Sequence, residues 1–172
     1  MGIKRILVSK DDARLQPLAG LVERQKHRTL VLWTIDCADR YLPIFEKDHP
    51  QDQRPGKAVK AAEAWARGEI KMPLAKKAAH SAHNAATEVS EDAAACAAAR
   101  AMGHVVGTVH VATHAMGFVI YAITSMIYAT GNPNDAGDII EKECEWLYQR
   151  LQYWEANVDK TDTTWAAFLL RD

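Results

Sequence analysis

Three histidines within eleven residues form the part of the sequence most suited to chemistry. His104, His110 and His114 follow Arg100 in the segment RAMGHVVGTVHVATH. On a single helix, all four side chains would fall within an arc of roughly 120° that also contains two glycines. This polar stripe predicts either a functional site or a row of buried groups that need hydrogen-bond partners.

A metal ion is one species that these imidazoles would hold. His110 and His114 are one helical turn apart, and His80 and His83 would complete the ligand set from a neighbouring helix. The HExxH pattern of zinc proteases is absent, because Thr113 precedes His114. A catalytic histidine is the second alternative. We favour the third, in which the histidines pack in the core or at an interface, and we assign no cofactor and no catalytic residue.

The second predicted helix, from His27 to about Leu42, offers further candidates. Asp36 and Asp39 would orient a histidine of the stripe, lie on a solvated face or form a local ion pair. Cys37 would act as a nucleophile beside a histidine, although a buried apolar role is commoner for a cysteine in a helix. The sequence contains no Walker loop and no GxGxxG or GxSxG motif.

An acidic face opens the last predicted helix. Asp138, Glu141 and Glu145 share this face because they recur at spacings of three and four residues. They are the predicted partner surface, since acidic side chains attract a basic partner. Alternatively, acids favour a helix start because of the helix dipole. Five aromatic residues follow and either close the core or contact a partner: Trp146, Tyr148, Tyr153, Trp154 and Trp165.

Alanine is the commonest residue in the predicted helices that hold the histidines. Between Ala58 and Ala101, 18 of 44 residues are alanine, the strongest helix former. We therefore expect an all-α, single-domain bundle of six to seven helices over residues 1–172, with residues 1–10 and 158–172 peripheral or flexible. Residues 101–134 contain no Asp, Glu, Lys or Arg, which predicts a buried central helix or helix pair over about 91–130. We expect a break near His114–Gly117.

Capping and breaker residues divide the rest of the chain. Residues 3–8 favour a short strand, which would have no partner strand. Helices are predicted from Asp11 and Asp12 to Glu23, from His27 to about Leu42 before Pro43, from Pro55 to Arg67, from Pro73 to Thr87, from Ser90 onward, and from Ala136 to Asn157.

Composition excludes several classes of protein. The 172 residues are 48% apolar and 25% charged, as in soluble globular proteins, and the net charge of −1 favours neither nucleic acid nor an anionic membrane as a partner. Histidines and threonines interrupt the charge-free run, which argues against a membrane span. Cys37, Cys96 and Cys144 form no CxxC pair, so we expect reduced thiols in a cytoplasmic protein.

Three segments of the chain resemble a bacterial family, the putative immunity proteins, which are small helical partners of polymorphic toxins. The segments are, in order, HRTLVLWTIDCADRYLPIFEKDHPQDQRPGKAVKAAEAWARGEI, AAARAMGHVVGTVHVATHAMGFVIYA and ECEWLYQRL. The resemblance covers about His27–Leu151 and does not extend to the tail NVDKTDTTWAAFLLRD. It implies an all-helical, cytoplasmic, non-enzymatic protein that binds and blocks a cognate protein toxin. It supplies no toxin-contact residues.

The leading hypothesis is therefore a toxin-binding protein. One alternative is a small helical metalloprotein or hydrolase that uses His110 and His114. The other is a structural homo-oligomer, in which the stripe of glycines and histidines packs between subunits.

Overall fold

Residues 6–171 are the part of the chain that the computed structural model describes, apart from the side chain of Pro133, and they contain seven α-helices and no β-strand. Half of the short strand predicted for residues 3–8 lies on residues 3–5, outside the described residues, and residues 6–8 form no strand. The all-α prediction is confirmed. The helices are α1 (Gln16–Glu23), α2 (His27–Glu46), α3 (Arg54–Ala66), α4 (Met72–Glu88), α5 (Ala93–His110), α6 (His114–Thr130) and α7 (Ala136–Asn157).

Helices α5 and α6 form the centre of the bundle. Helix α5 packs against α2, α3, α4 and α6, and both central helices are buried along most of their length. The helix pair predicted over about 91–130 is therefore confirmed. The break predicted near His114–Gly117 exists, but it lies slightly earlier in the chain, because α5 ends at His110, the extended Val111 opens the link and α6 begins at His114. Gly117 lies inside α6, where it contacts another helix instead of ending its own.

Small side chains let α5 lie among so many neighbours. Its first two turns bury mainly alanine, and they pack against Phe45, Ala85 and Ala86. The helix starts where Asp92 accepts a hydrogen bond from the backbone N–H of Ala95, at 3.0 Å. Within the described residues, no helix combines the length and the apolarity needed to cross a membrane.

Helix α2 continues past Pro43. The sequence predicted its end at about Leu42, and this prediction is wrong, because α2 extends to Glu46. A proline inside a helix costs about 3 kcal/mol through its missing N–H and its ring. The extra turn buries Phe45 completely, which contributes about 1.5–3 kcal/mol and so offsets most of that cost.

The C-terminal tail returns along the bundle and packs on α2 and α3. It contains two short 3₁₀ helices, Val158–Lys160 and Ala167–Leu170. Val158, Ala166 and Leu169 are buried, and the N–H of Ala166 donates to the carbonyl of Ala66 at 2.7 Å. This bond fixes the tail at the end of α3.

Candidate functional site

Three histidines each lie on a glycine where α4, α5 and α6 meet. The ring of His83 in α4 lies over Gly103, and a Cβ atom added to that glycine would be 2.5 Å from Nε2. His104 in α5 lies on Gly117 at an equivalent 2.5 Å.

The third ring, that of His114 in α6, lies on Gly107, where an added Cβ would be 2.7 Å from Nδ1. Real Cβ atoms do not approach so closely, so these helix contacts require glycine. Along α5 the contacting residues rise from 104 to 107, while their partners on α6 fall from 117 to 114. The two helices are therefore antiparallel.

The three imidazoles also contact one another, and we call them the histidine cluster: His83, His104 and His114. Nδ1 of His104 and Nδ1 of His114 are 3.3 Å apart and share a hydrogen bond. The ring of His83 meets that of His104 edge-on at 5.8 Å between centroids, and Tyr121 stacks on His104 at 5.3 Å. His104 is therefore enclosed on several sides.

Burial and positive neighbours keep His83 and His104 neutral at pH 7. Burial lowers the pKa of His104 to about 4, and His83, His114 and Arg100 act in the same direction. The pKa of His83 is also lowered, first by burial and then by Arg100, His80 and His114. Its Nδ1 is buried and has no hydrogen-bond partner among the described residues, which costs about 1–3 kcal/mol.

The structure separates the polar stripe that the sequence placed on one helix. Arg100 lies near the cluster, His104 belongs to it, and His114 reaches it from α6, because α5 has already ended. His110 is exposed and stacks on Trp65 at 5.9 Å. The one-turn spacing proposed for His110 and His114 as metal ligands therefore does not exist.

The metal candidates His80, His83, His110 and His114 do not form one ligand set. Among residues 6–171, the structure contains no group of three or more His, Cys, Asp or Glu side chains arranged to hold a metal ion. The glycines of the stripe are covered by His83 and His114 of the same chain, so the stripe does not require a second subunit to fill it.

Carboxylates of α2 and α7 meet basic side chains instead of histidines. We call this contact the α2–α7 seam. Asp36 accepts hydrogen bonds from Nε and Nη2 of Arg150 at 2.8 and 2.5 Å, and from Nε1 of Trp154 at 3.0 Å. The alternative in which Asp36 orients a histidine is therefore wrong. Nε1 of Trp33 also crosses the seam and donates to the carbonyl of Leu147 at 3.1 Å.

Glu143 is the buried charge of the same seam. Only 4% of the residue is exposed, and it accepts two bonds from Arg40, at 2.9 and 2.8 Å, and one from the hydroxyl of Tyr41 at 2.7 Å. Burial and the nearby carboxylate raise the pKa of Tyr41. Spacing along α7 does not distinguish this acid from its exposed neighbours, because its partners lie on a different helix.

Cys37 lies fully buried beside this seam. Burial raises the pKa of its thiol well above the ordinary value, and the charge of Asp36 adds to the effect. Because the thiolate is the nucleophilic form, this environment suits a structural cysteine and not a reactive one. Cys96 and Cys144 are also buried free thiols.

The acidic face of α7, defined as Asp138, Glu141 and Glu145, is exposed to solvent. Glu145 accepts a hydrogen bond from Gln149 one turn later, at 2.6 Å. A cleft of about 200 Å³ adjoins the face, with Glu141 and Glu145 on one side and Arg14 on the other. The face is accessible, and Arg14 already balances part of its charge.

A second concave surface lies at the end of the bundle where α5 finishes. We call it the aromatic groove. Its volume is about 700 Å³, its walls include Trp65, Trp165, Phe168 and His110, and Arg67, Lys71 and Arg171 also line it. Sequence reasoning missed this groove, because Trp65 and Trp165 are far apart in the chain. The one available signal was the predicted helix stop at Gly68.

Comparison with known protein families places most of the chain in one family. A family model described as "Imm-5 like putative immunity protein" matches residues 20–153. No curated protein and no solved structure matches the chain. The matched range begins within α1 and ends within α7, so it includes the histidine cluster and all of the α2–α7 seam except Trp154, but not the tail.

Proposed function

The chain belongs to the Imm-5 like putative immunity protein family, and from this premise we propose that it is a non-enzymatic binding protein that neutralises a cognate bacterial toxin. The observation that carries the proposal is the extent of the match, which includes both central helices and both polar contacts between helices. The toxin would be bound by the outer surface of a helical scaffold.

The buried contacts support a preformed binding surface. Glycine–histidine pairs fix α4, α5 and α6, and ion pairs fix α2 against α7. A surface held in this way loses little conformational entropy on binding, which favours high affinity. Association would then be close to a rigid-body process.

The chemistry of the histidine cluster also favours binding over catalysis. Within the described residues, the hydrogen bond of His104 is to His114, and burial and positive neighbours depress its pKa. A general base needs a pKa near the working pH, together with a nucleophile or substrate proton within reach. The cluster instead serves as packing between helices.

We place this activity in the cytoplasm. The support is that Cys37, Cys96 and Cys144 are all buried free thiols, which are maintained most readily in a reducing compartment.

Capture followed by neutralisation tests the proposal. The tagged chain is crosslinked and purified from the cells that encode it, and stoichiometric partners are identified by mass spectrometry. The captured protein is then expressed alone and together with the chain. We expect growth arrest in the first case, recovery in the second, and a dissociation constant that is roughly nanomolar or tighter.

The controls make this experiment decisive. The exposed-surface variant Glu23→Lys should rescue growth as well as the parent chain does. The proposal fails if no stoichiometric partner is captured. It also fails if the partner is harmless when expressed alone, or if its toxicity persists beside the chain.

The acidic face of α7 is a predicted contact for the toxin. Lysine at all three positions should lower the association rate with the captured toxin by about tenfold or more at low salt, because charge steering would be reversed. Stopped-flow mixing measures this rate. Unchanged association would remove the face from the binding surface. The matched control carries the same three charge reversals at other exposed acids: Glu23, Asp48 and Glu91.

A further inference from the structure

The aromatic groove has walls that hydrogen bonds and ring contacts hold in place. Trp65 is only 6% exposed and packs against His110 on one side and Phe168 on the other, at 5.9 and 5.6 Å between ring centroids. Trp165 lies beneath the guanidinium of Arg28, at 5.9 Å. The aromatic surface is thus preformed.

A tight turn and the returning tail shape the groove. Gly68 adopts the left-handed conformation, with φ of 76°, and the N–H of Glu69 closes the end of α3 on the carbonyl of Ala64 at 2.8 Å. The carbonyl of Ala66 is left to accept the N–H of Ala166 at 2.7 Å. This bond brings Trp165 and Phe168 to the end of α3.

Exposed apolar side chains concentrate around the same groove. Met72 lines it with 40% of the residue exposed. Leu74, Val111 and Leu170 are 59%, 41% and 56% exposed, and each lies within two residues of a side chain that lines the groove. Aromatic residues, methionine and arginine are enriched in protein interfaces, and grouped exposed apolar residues mark such surfaces.

The charge of the groove is positive, although the chain as a whole carries −1. Arg67, Lys71 and Arg171 line it, and none of the described residues that line it is acidic. The acidic face of α7 lies at the other end of the bundle, because α6 runs antiparallel to α5 and α7 starts where α6 ends. The two ends therefore attract partner segments of opposite charge.

We propose that the aromatic groove binds an acidic segment of a protein partner, with an aromatic or aliphatic anchor of that segment against Trp165 and Phe168. Its volume of about 700 Å³ lies within the range of roughly 300–1,000 Å³ that is typical of ligand clefts. This inference rests on the proposed function in one respect, which is that the partner is the toxin.

Fluorescence anisotropy with a defined probe tests the groove directly. The probe is a short fluorescein-labelled peptide of aspartate and glutamate around one tryptophan–leucine pair. We expect the parent chain to bind it with a dissociation constant on the order of 10 µM. The double variant Lys71→Glu, Arg171→Glu should bind about tenfold or more weakly. Both side chains are exposed, so the fold should tolerate the change.

Matched controls separate the groove from general charge effects. The double variant Lys76→Glu, Lys77→Glu makes the same charge change on exposed lysines of α4 outside the groove, and it should alter binding by about twofold at most at physiological salt. A peptide with serine in place of its tryptophan and leucine should bind about tenfold more weakly, as should a peptide with lysine in place of its acids.

Several results would overturn the groove proposal. The first is no binding of the acidic peptide at about 1 mM. The second is an equal loss of peptide affinity in the groove double variant and in the control double variant. The third is equal affinity for the acidic and the basic peptide. NMR gives a further readout. The indole N–H signals of Trp65 and Trp165 should shift on titration, and shifts confined to Trp33, Trp146 and Trp154 would contradict the proposal.

The captured toxin distinguishes the two proposals from each other. A toxin that the chain neutralises, and that binds the Lys71→Glu, Arg171→Glu variant as tightly as the parent, would refute the groove as the contact and leave the function intact. Peptide binding that depends on the groove, in a chain that captures and neutralises no toxin, would refute the function and leave the groove as a peptide site.

Discussion

The α2–α7 seam and the histidine cluster both place polar side chains between helices, but they are held together differently. In the seam, Glu143 meets Arg40 and Asp36 meets Arg150, so each carboxylate has an opposite charge within hydrogen-bond distance. In the cluster, lowered pKa values keep His83 and His104 neutral, and each of the three rings lies on a glycine. Charge-assisted bonds hold the first contact, and close packing holds the second.

The two contacts should therefore fail under different changes. Removing a group from the α2–α7 seam leaves its partner without a hydrogen bond in a buried place, which is costly. In the histidine cluster, an added atom is damaging because the rings already lie against the glycines. An added proton is damaging because no carboxylate is among the charged groups that act on His104.

Loss of Glu143 should be the most damaging change. Glu143→Ala leaves Tyr41 and Arg40 without their acceptor, and we expect the free energy of unfolding to fall by about 3 kcal/mol. Partial exposure of Arg40 limits the loss, because water reaches the guanidinium. Urea denaturation measures the change. Glu141→Ala, at an exposed position of the same helix, should cost less than about 0.5 kcal/mol. Equal losses of unfolding free energy in Glu143→Ala and Glu141→Ala would contradict the proposed difference between buried and exposed acids.

Acid should weaken the histidine cluster. The pKa of His104 is about 4 in the folded chain, against an ordinary value of 6.5, so the unfolded chain binds more protons between these pH values. The contribution of the neutral His104 ring to stability is fully present above pH 6.5. As the pH decreases to 4, the free energy of unfolding should fall by on the order of 2 kcal/mol. Denaturation across this pH range measures the slope.

A variant and a spectrum check that this slope comes from the cluster. His110 lies outside the cluster and stacks on Trp65, so the variant His110→Ala should show the same dependence of stability on pH as the parent chain. NMR signals of the His104 ring that titrate near pH 6.5 would show that the ring is not shielded in the way that the structure indicates.

One added methyl group should disturb the contact between α5 and α6. Gly117→Ala places a Cβ atom 2.5 Å from Nδ1 of His104, and enclosure by His114 and Tyr121 leaves that ring little room to move. We expect a loss of about 1–2 kcal/mol, after the gain from alanine's helix propensity. Thermal and urea unfolding measure it.

Two comparisons test whether the close approach causes that loss. Gly20→Ala has nothing within 4 Å of the new Cβ and should leave stability unchanged or raise it by up to about 1 kcal/mol. In a double-mutant cycle, the Gly117→Ala substitution should cost less when His104 is also alanine. Additive losses would contradict the packing explanation.

The smallest effect is expected for a single hydrogen bond of the α2–α7 seam. Trp154→Phe removes the indole N–H that donates to Asp36, but Arg150 still satisfies that carboxylate. The free energy of unfolding should fall by about 1 kcal/mol or less. A loss as large as that for Glu143→Ala would mean that the indole, and not the guanidinium, holds Asp36 in place.

Local sequence rules predicted most of the helices but not how they meet. The charge-free run and the alanine content were sufficient for the central pair, and the GNPND loop was sufficient for the start of α7, because helix propensity, hydrophobicity and breaker residues act locally. Gly117 and Pro43 misled the boundary predictions, since both are helix breakers by type. Their actual roles depend on His104 and Phe45, which become neighbours of other helices only after folding.

The candidate surfaces divide in the same way. The acidic face could be read from spacing along one helix, because its three members lie within two turns. The aromatic groove could not be read from local spacing, because its two tryptophans are brought together by the hydrogen bond between the N–H of Ala166 and the carbonyl of Ala66. The histidines were identified as a group, but the helical projection placed His110 inside the group and missed the role of His83 against Gly103.

The glycine–histidine contacts also have a consequence for how this sequence can change over time. Each glycine leaves space for one ring, so a side chain gained at position 103, 107 or 117 requires a smaller partner at position 83, 114 or 104, respectively. Among divergent relatives, we therefore expect these positions to substitute in pairs. Single steps would pass through a less stable intermediate, which makes this part of the bundle slow to diverge while the exposed faces are free to adapt to new partners.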